Sequence, residues 1–137
     1  MPIKSLMIYS TKESAMEAVK KNGLELEYVD LYLKYDKEIV MIAVKQCGLA
    51  LRYALSKFKN NIEVVVAAVK QNGLALQYAS IELGNDERVV MRAVKKCGLA
   101  LLYASTELRN NLEIIMSAVN QNRNALEYVG FNIRSMF

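Results

Sequence analysis

Residues 68–80 read AVKQNGLALQYAS, and this stretch recurs along the chain at a fixed interval. Residues 43–55 read AVKQCGLALRYAL and residues 93–105 read AVKKCGLALLYAS, so the copies start 25 positions apart. Self-similarity at a fixed period of roughly 20–50 residues is the signature of repeat proteins. The sequence therefore predicts tandem structural units that stack on one another.

Five units can be placed on this register without an insertion. They span 11–35, 36–60, 61–85, 86–110 and 111–135, after an N-terminal cap at 1–10, within a single repeat domain of 1–137. Four columns are identical in all units: Ala18, Ala43, Ala68, Ala93 and Ala118; Val19, Val44, Val69, Val94 and Val119; Leu26, Leu51, Leu76, Leu101 and Leu126; and Tyr28, Tyr53, Tyr78, Tyr103 and Tyr128. In the cap, Ile3, Leu6 and Ile8 are expected to cover the exposed end of the first unit.

The first half of each unit carries the signals of an α-helix. The units open on residues that cap helices, namely Thr11, Asp36, Asn61, Asp86 and Asn111. A lysine and then a glycine follow in the first four units, and such a glycine is expected to end the helix in the left-handed conformation. The run EVVVAAV at 63–69 also suits a buried strand. The cap and stop signals bracket about eleven residues, too long for a typical strand, so we predict a helix.

The second half of each unit reads as a shorter helix, with a break near Ser80 in the third unit. One helical hairpin cannot bury its apolar face alone, so neighbouring units must stack. The predicted fold is all-α: an α-solenoid of five 25-residue helix-turn-short-helix repeats.

Composition argues against catalysis. The 137 residues include no histidine, which removes the commonest general base and a common metal ligand. No glycine-rich phosphate loop is present, and we expect neither enzymatic activity nor a cofactor. No apolar run approaches the roughly 18 residues of a membrane span. Cys47 and Cys97 fall two units apart, too far for a disulfide, so a reducing, cytoplasmic location is expected.

The motif AVKQNGLALQYAS, with its capping residue and return spacing, resembles the repeat of domain-of-unknown-function family 4116. The resemblance covers essentially all of residues 11–135 and departs from the pattern at Glu25 and at Arg123 and Asn124. Members of that family occur in effectors of intracellular bacteria, in protists and in large viruses. The resemblance implies an interaction array, in the host cytosol for a delivered effector, and it implies no catalytic residues.

The strongest candidate for binding is a lysine that recurs once per unit. Lys20, Lys45, Lys70 and Lys95 would form a ladder of positive charge along one edge, with Lys96 beside it. Such a ladder suits an acidic protein partner, a nucleic acid or a nucleotide phosphate. The alternative is that each lysine only complements its own helix C-terminus. The net charge of +4 is compatible with either interpretation.

Two columns vary between units and point outward, which is the layout of a recognition surface, although the same variation would also arise from a lack of constraint. From them we select Arg92 on a first helix and Arg52, Gln77 and Leu102 on second helices as a partner surface. The tyrosines are expected to pack between units, and Glu25 and Glu27 are expected to be solvated. The leading hypothesis is a non-catalytic scaffold that binds a protein of unknown identity. The alternative is a phosphate, nucleotide or nucleic-acid binding module that uses the lysine ladder.

Overall fold

The computed structural model describes residues 8–136. Each unit begins with a ten-residue α-helix, and these helices are α1 (Lys12–Lys21), α2 (Lys37–Gln46), α3 (Ile62–Gln71), α4 (Glu87–Lys96) and α5 (Leu112–Gln121). Every helix starts one residue after its predicted cap, whose side chain accepts a hydrogen bond from a backbone N–H of the first turn. The predicted capping residues are confirmed.

The second segment of each unit is a six-residue 3₁₀ helix. These segments are η1 (Gly23–Tyr28), η2 (Gly48–Tyr53), η3 (Gly73–Tyr78), η4 (Gly98–Tyr103) and η5 (Arg123–Tyr128). After a break at the Ser80 position, a short third helical segment closes each unit: Leu31–Tyr35, Ser56–Lys59, Ile81–Gly84, Leu108–Asn110 and Phe131–Arg134. A unit thus has three helical segments where the sequence predicted two.

The units stack into two layers. Each α-helix contacts the α-helix of the next unit, and each 3₁₀ helix contacts the next 3₁₀ helix. The first four 3₁₀ helices lie against the α-helices of their own and the following unit, and η5 lies against α5 of its own unit. The protein is therefore an all-α repeat solenoid, as predicted. Among residues 8–136, no helix has the length and apolar character needed to cross a membrane.

The core lies between the two layers and repeats with the units. In α3 the buried positions are Val64, Val65, Ala68 and Val69, which lie on one side of the helix. From the 3₁₀ layer, Leu26, Leu51, Leu76 and Leu101 are at most 2% exposed. Full burial of such a side chain stabilises the fold by about 1.5–3 kcal/mol. Both layers depend on this shared core, because neither could bury its apolar side alone.

The glycines after the α-helices do not take the expected conformation. No glycine in residues 8–136 has a positive φ. Each α-helix is followed instead by an extended residue that precedes the glycine position. In the second unit this residue is Cys47, with φ −146° and ψ 109°. The carbonyl of Cys47 then accepts a hydrogen bond from the N–H of Ala50 within the 3₁₀ helix. The left-handed termination predicted from the sequence is wrong.

These glycines are needed for close approach between units. A Cβ on Gly48 would overlap the carbonyl oxygen of Ala68 in the next unit and would lie 3.1 Å from the backbone nitrogen of Asn72. Gly23, Gly73 and Gly98 face the equivalent alanine carbonyl of the unit that follows each of them. The fifth unit carries Arg123 at this position, and no following unit packs there within the described residues.

A glutamine side chain completes three of these four junctions. The N–H of Gly23 donates to Oε1 of Gln46 at 2.7 Å, and Gly48 and Gly98 donate in the same way to Gln71 and Gln121. The position that faces Gly73 holds Lys96, whose ammonium group cannot accept a hydrogen bond.

A backbone hydrogen bond also joins successive units. The N–H of Ser80 donates to the carbonyl of Lys59 at 2.9 Å, and Ser105 and Gly130 repeat this bond one and two units later. In the first unit the acceptor is Tyr9, which bonds the N–H of Asp30 at 2.9 Å. Tyr9 lies 25 residues before Lys34 and so stands where a preceding unit would place its third segment.

Two expectations for the N-terminal region are wrong. Ile8 is 62% exposed and does not cover the first unit; Ile3 and Leu6 lie outside the described residues. Glu25 is only 8% exposed, although it was expected to be solvated, and the hydroxyl of Tyr9 donates to its carboxylate at 3.4 Å. Burial follows from the position of Glu25 in the column that holds a fully buried alanine in the other units.

Cys47 and Cys97 are free thiols and half-buried.

Replacing the junction glycine is expected to destabilise the fold. Gly48→Ala forces units two and three apart and should lower the free energy of unfolding by about 2–3 kcal/mol. Urea denaturation followed by circular dichroism measures this loss. Gly84→Ala is the matched control, because the nearest atom to its added Cβ is the Tyr103 carbonyl oxygen at 3.7 Å. The close-approach role is refuted if both variants change stability equally.

Restoring the missing glutamine is expected to stabilise the protein. Lys96→Gln supplies an acceptor for the N–H of Gly73 and should raise the free energy of unfolding by about 0.5–1.5 kcal/mol. Lys95→Gln removes the same charge from the neighbouring residue and serves as the control in the same denaturation experiment. An equal gain in both variants would show that relief of charge repulsion, and not the new hydrogen bond, is responsible.

Candidate binding surface

The two layers present two faces to solvent. We call the exposed side of helices α1–α5 the α face, and the exposed side of η1–η5 the 3₁₀ face. Because the shared core lies between the layers, the two faces point in opposite directions.

The predicted lysine ladder lies on the α face. Lys20, Lys45, Lys70 and Lys95 are exposed in the last turns of α1–α4. Adjacent packed helices lie about 8–10 Å apart, so these side chains form a row with about that spacing. Lys96 is exposed beside the row. None of these five lysines makes an ion pair with another described residue.

Acidic side chains at the other end of the central helices are paired between units. Nζ of Lys12 lies 2.8 Å from the carboxylate of Glu38 and 3.1 Å from that of Asp36 in the next unit. Lys37 forms the equivalent ion pair with Glu63 one unit later. The negative charges of α2 and α3 are thus matched locally, whereas the lysine row is left as unpaired positive charge.

These pairs shift the titration of their members. Hydrogen bonds from Lys12 to Glu38 and then to Asp36 raise the pKa of Lys12. The hydrogen bond from Lys37 lowers the pKa of Glu63, and the positive charge of Lys45 adds a smaller effect in the same direction. Glu63 therefore remains a carboxylate at neutral pH.

An apolar row runs beside the lysines. It consists of Met16, Met41, Val66, Met91 and Met116, each four residues before the lysine column. The first four side chains are half-buried and Met116 is 58% exposed. Residues four apart are neighbours on a helix surface, so the apolar row and the lysine row lie side by side.

A groove of about 470 Å³ opens on the α face between α2 and α3. Its apolar lining consists of Met41, Val66 and Ala67, and its polar lining includes Lys45 and Lys70. Glu63 and Gln71 complete the wall. The groove can accept an apolar side chain while the lysine ammonium groups contact an acceptor beside it.

The four residues selected as a partner surface do not lie together. Arg52, Gln77 and Leu102 are exposed on the 3₁₀ face, where the guanidinium of Arg52 lies 5.6 Å from the ring centre of Tyr53. Arg92 is exposed on the opposite α face. The sequence shows that both columns point outward, but only the packing of the layers shows that they point away from each other.

The tyrosine column is half-buried along the 3₁₀ layer, apart from Tyr103 at 38% exposed. Burial raises the pKa of Tyr53, and the negative charge of Glu27 adds to this effect. Tyr53, Tyr78 and Tyr128 pack against the core.

The apolar row and the glutamine column were not predicted from the sequence. Both are columns of the same 25-residue register: a methionine or valine stands four residues before each lysine, and a glutamine stands two residues before the glycine position, as Gln46, Gln71 and Gln121. The significance of the glutamines depends on a contact 23 residues away, which periodicity alone does not reveal.

The ion pair between Lys37 and Glu63 gives a prediction about pH. Because the folded-state pKa of Glu63 is below its ordinary value of 4.5, the pair stabilises the fold at neutral pH and is lost as pH falls through that pKa. Lys37→Gln should raise the pKa of Glu63 measured by NMR more than Lys45→Gln does. Equal shifts in the two variants would contradict the assigned order of causes.

Comparison with protein-family models shows which family the repeat resembles. The family model described as Domain of unknown function (DUF4116) matches residues 11–58, 36–84 and 86–134. Each match covers nearly two of the 25-residue units, and the first two overlap by one unit. No curated protein and no solved structure matches the chain. The matches cover most of the sequence and agree with the repeat seen in the structure, so the chain belongs to the DUF4116 family.

Proposed function

We propose that the protein is a non-catalytic scaffold that binds a partner protein through its α face. The observation that carries this proposal is the groove between α2 and α3, whose apolar lining lies directly beside two unpaired lysines. Such a combination of apolar contact and charge on a repeat surface is typical of protein-binding solenoids.

The order of the face supports this proposal. Stacking aligns equivalent positions of successive units, so the lysines and the apolar side chains form continuous rows. A partner that contacts several units gains affinity from each of them without needing a deep pocket. The lack of histidine and the structural use of the glycines in unit packing support a role without catalysis.

A second candidate is a nucleic acid or phosphate ligand, which the unpaired lysine row favours. The apolar row beside the lysines favours a protein instead, since a phosphate backbone makes no apolar contact that would bury these side chains.

We propose that the interaction takes place in the cytoplasm, in agreement with the two unbridged cysteines, and in the host cytosol for a delivered effector.

Site-specific photocrosslinking tests the proposal. A photoreactive phenylalanine is placed at Ala67 in the groove or, as the control, at Gln77 on the 3₁₀ face, and the protein is irradiated in nuclease-treated cell extract. We expect a discrete protein adduct at position 67 that excess unlabelled protein removes, and no such adduct at position 77. Adducts at both positions alike, or at neither, would refute the α face as the binding surface.

A further inference from the structure

We propose that the α face recognises an amphipathic helix of the partner that carries a row of carboxylates along one flank. This inference rests on the proposed function and specifies the chemistry and the shape of the bound segment. The carboxylates would face the lysine row, and the apolar side of the helix would cover the apolar row.

The sign of the partner's charge follows from the pairing pattern of the α face. Lys12 and Lys37 are engaged with Glu38 and Glu63, so the acids of the central helices are already neutralised. Lys20, Lys45, Lys70 and Lys95 have no such partner in residues 8–136. The one acid that lines the groove beside Lys45 and Lys70 is Glu63, and it is already paired with Lys37. A carboxylate brought to this row therefore meets an excess of positive charge, whereas a basic segment would be repelled.

Because the α face carries an apolar row beside the lysine row, a partner that covers both rows must be amphipathic. Methionine is unbranched and polarisable, and exposed methionines adapt their shape to apolar side chains of a bound segment. Met41 and Met91 are half-buried and flank Val66 in the central units. The variable position beside the row is apolar in α2 and α3, as Ile42 and Ala67, but charged in α1 and α4, as Glu17 and Arg92. The centre of the α face is thus the anchoring part.

The spacing of the units matches the repeat of a helix. One heptad of an α-helix rises about 10.5 Å, close to the separation of about 8–10 Å between neighbouring helices of the solenoid. A partner helix that lies along the stacking direction can therefore place one carboxylate per heptad opposite one lysine per unit. The four lysines span about 30 Å, which corresponds to about 20 residues of the partner.

The groove between α2 and α3 provides the central anchor. An apolar side chain of the partner helix would enter it against Met41, Val66 and Ala67. Lys45 and Lys70 border the same groove and would bond carboxylates on the flank of that helix. Apolar burial and charge pairing then act at one place.

Two designed peptides test the inference by fluorescence anisotropy. The first is a 22-residue helix with two leucines per heptad and one glutamate stripe along one flank. The second has the same composition, with the glutamates distributed around the helix. We expect the first peptide to bind with a dissociation constant below about 100 µM and the second to bind about tenfold more weakly. Raising the salt concentration from 50 to 300 mM should weaken binding of the first peptide severalfold.

Three variants identify the contacts. Lys45→Glu/Lys70→Glu/Lys95→Glu should weaken binding of the first peptide by roughly 30-fold or more, because it replaces attraction with repulsion at each unit. Arg52 on η2 and Lys57 and Arg134 on third segments are exposed and lie outside α1–α5. Arg52→Glu/Lys57→Glu/Arg134→Glu therefore changes the net charge equally without touching the lysine row, and should leave binding within about twofold. Met41→Gln/Met91→Gln should weaken binding by about tenfold through loss of apolar contact. Circular dichroism checks that each variant is folded.

The outcomes separate this inference from the proposed function. Equal binding of the two peptides, or equal losses in the two charge variants, would refute the flank of carboxylates. A single-stranded oligonucleotide that binds more tightly than the first peptide and displaces it would refute the helix partner in favour of a nucleic acid. If neither peptide binds while the adduct at Ala67 still forms, this inference fails and the proposed function stands. If that adduct also fails to form, both fail.

Discussion

The contact on which the rest of the structure depends is the approach of each glycine to the alanine carbonyl of the next unit. Gly48 lies so close to Ala68 that no side chain fits between them. This distance fixes the separation of the units, and with it the overlap of the valines and leucines that fill the core. Where a glutamine bonds the glycine N–H, the junction also satisfies a backbone group that would otherwise be buried without a partner.

Regular stacking also organises the charges. Because equivalent residues of successive units are neighbours, Lys37 meets Glu63 across a junction and not within its own helix. The same register brings lysines of the last turns next to one another, where they form no ion pair with another described residue. The repeat therefore yields a row of ion pairs that joins the first three units and a row of lysines on the same face. The apolar side chains between them complete a surface that neither row would form alone.

Several features could be predicted because they depend on local chemistry. Asn61 accepts from the N–H of Val64, as its position before an apolar run indicated. The position of Lys70 in a last turn followed from counting along one helix. The conformation of Gly48 and the burial of Glu25 could not be predicted, since both are decided by residues of another segment. The segment around Tyr9 joins the first unit by backbone hydrogen bonds with Tyr28 and Asp30, which no side-chain pattern reveals.

The sequence by itself determined the 25-residue repeat, the five α-helices with their capping residues, and the outward direction of the lysine column. These features depend on short-range rules of helix formation and on periodicity. Only the tertiary structure decided the 3₁₀ form of the second segments, the reason for the glycines, and the separation of Arg92 from Arg52 onto opposite faces. The physical reason is that each of these depends on how closely neighbouring units pack, and that distance is a property of two segments in contact.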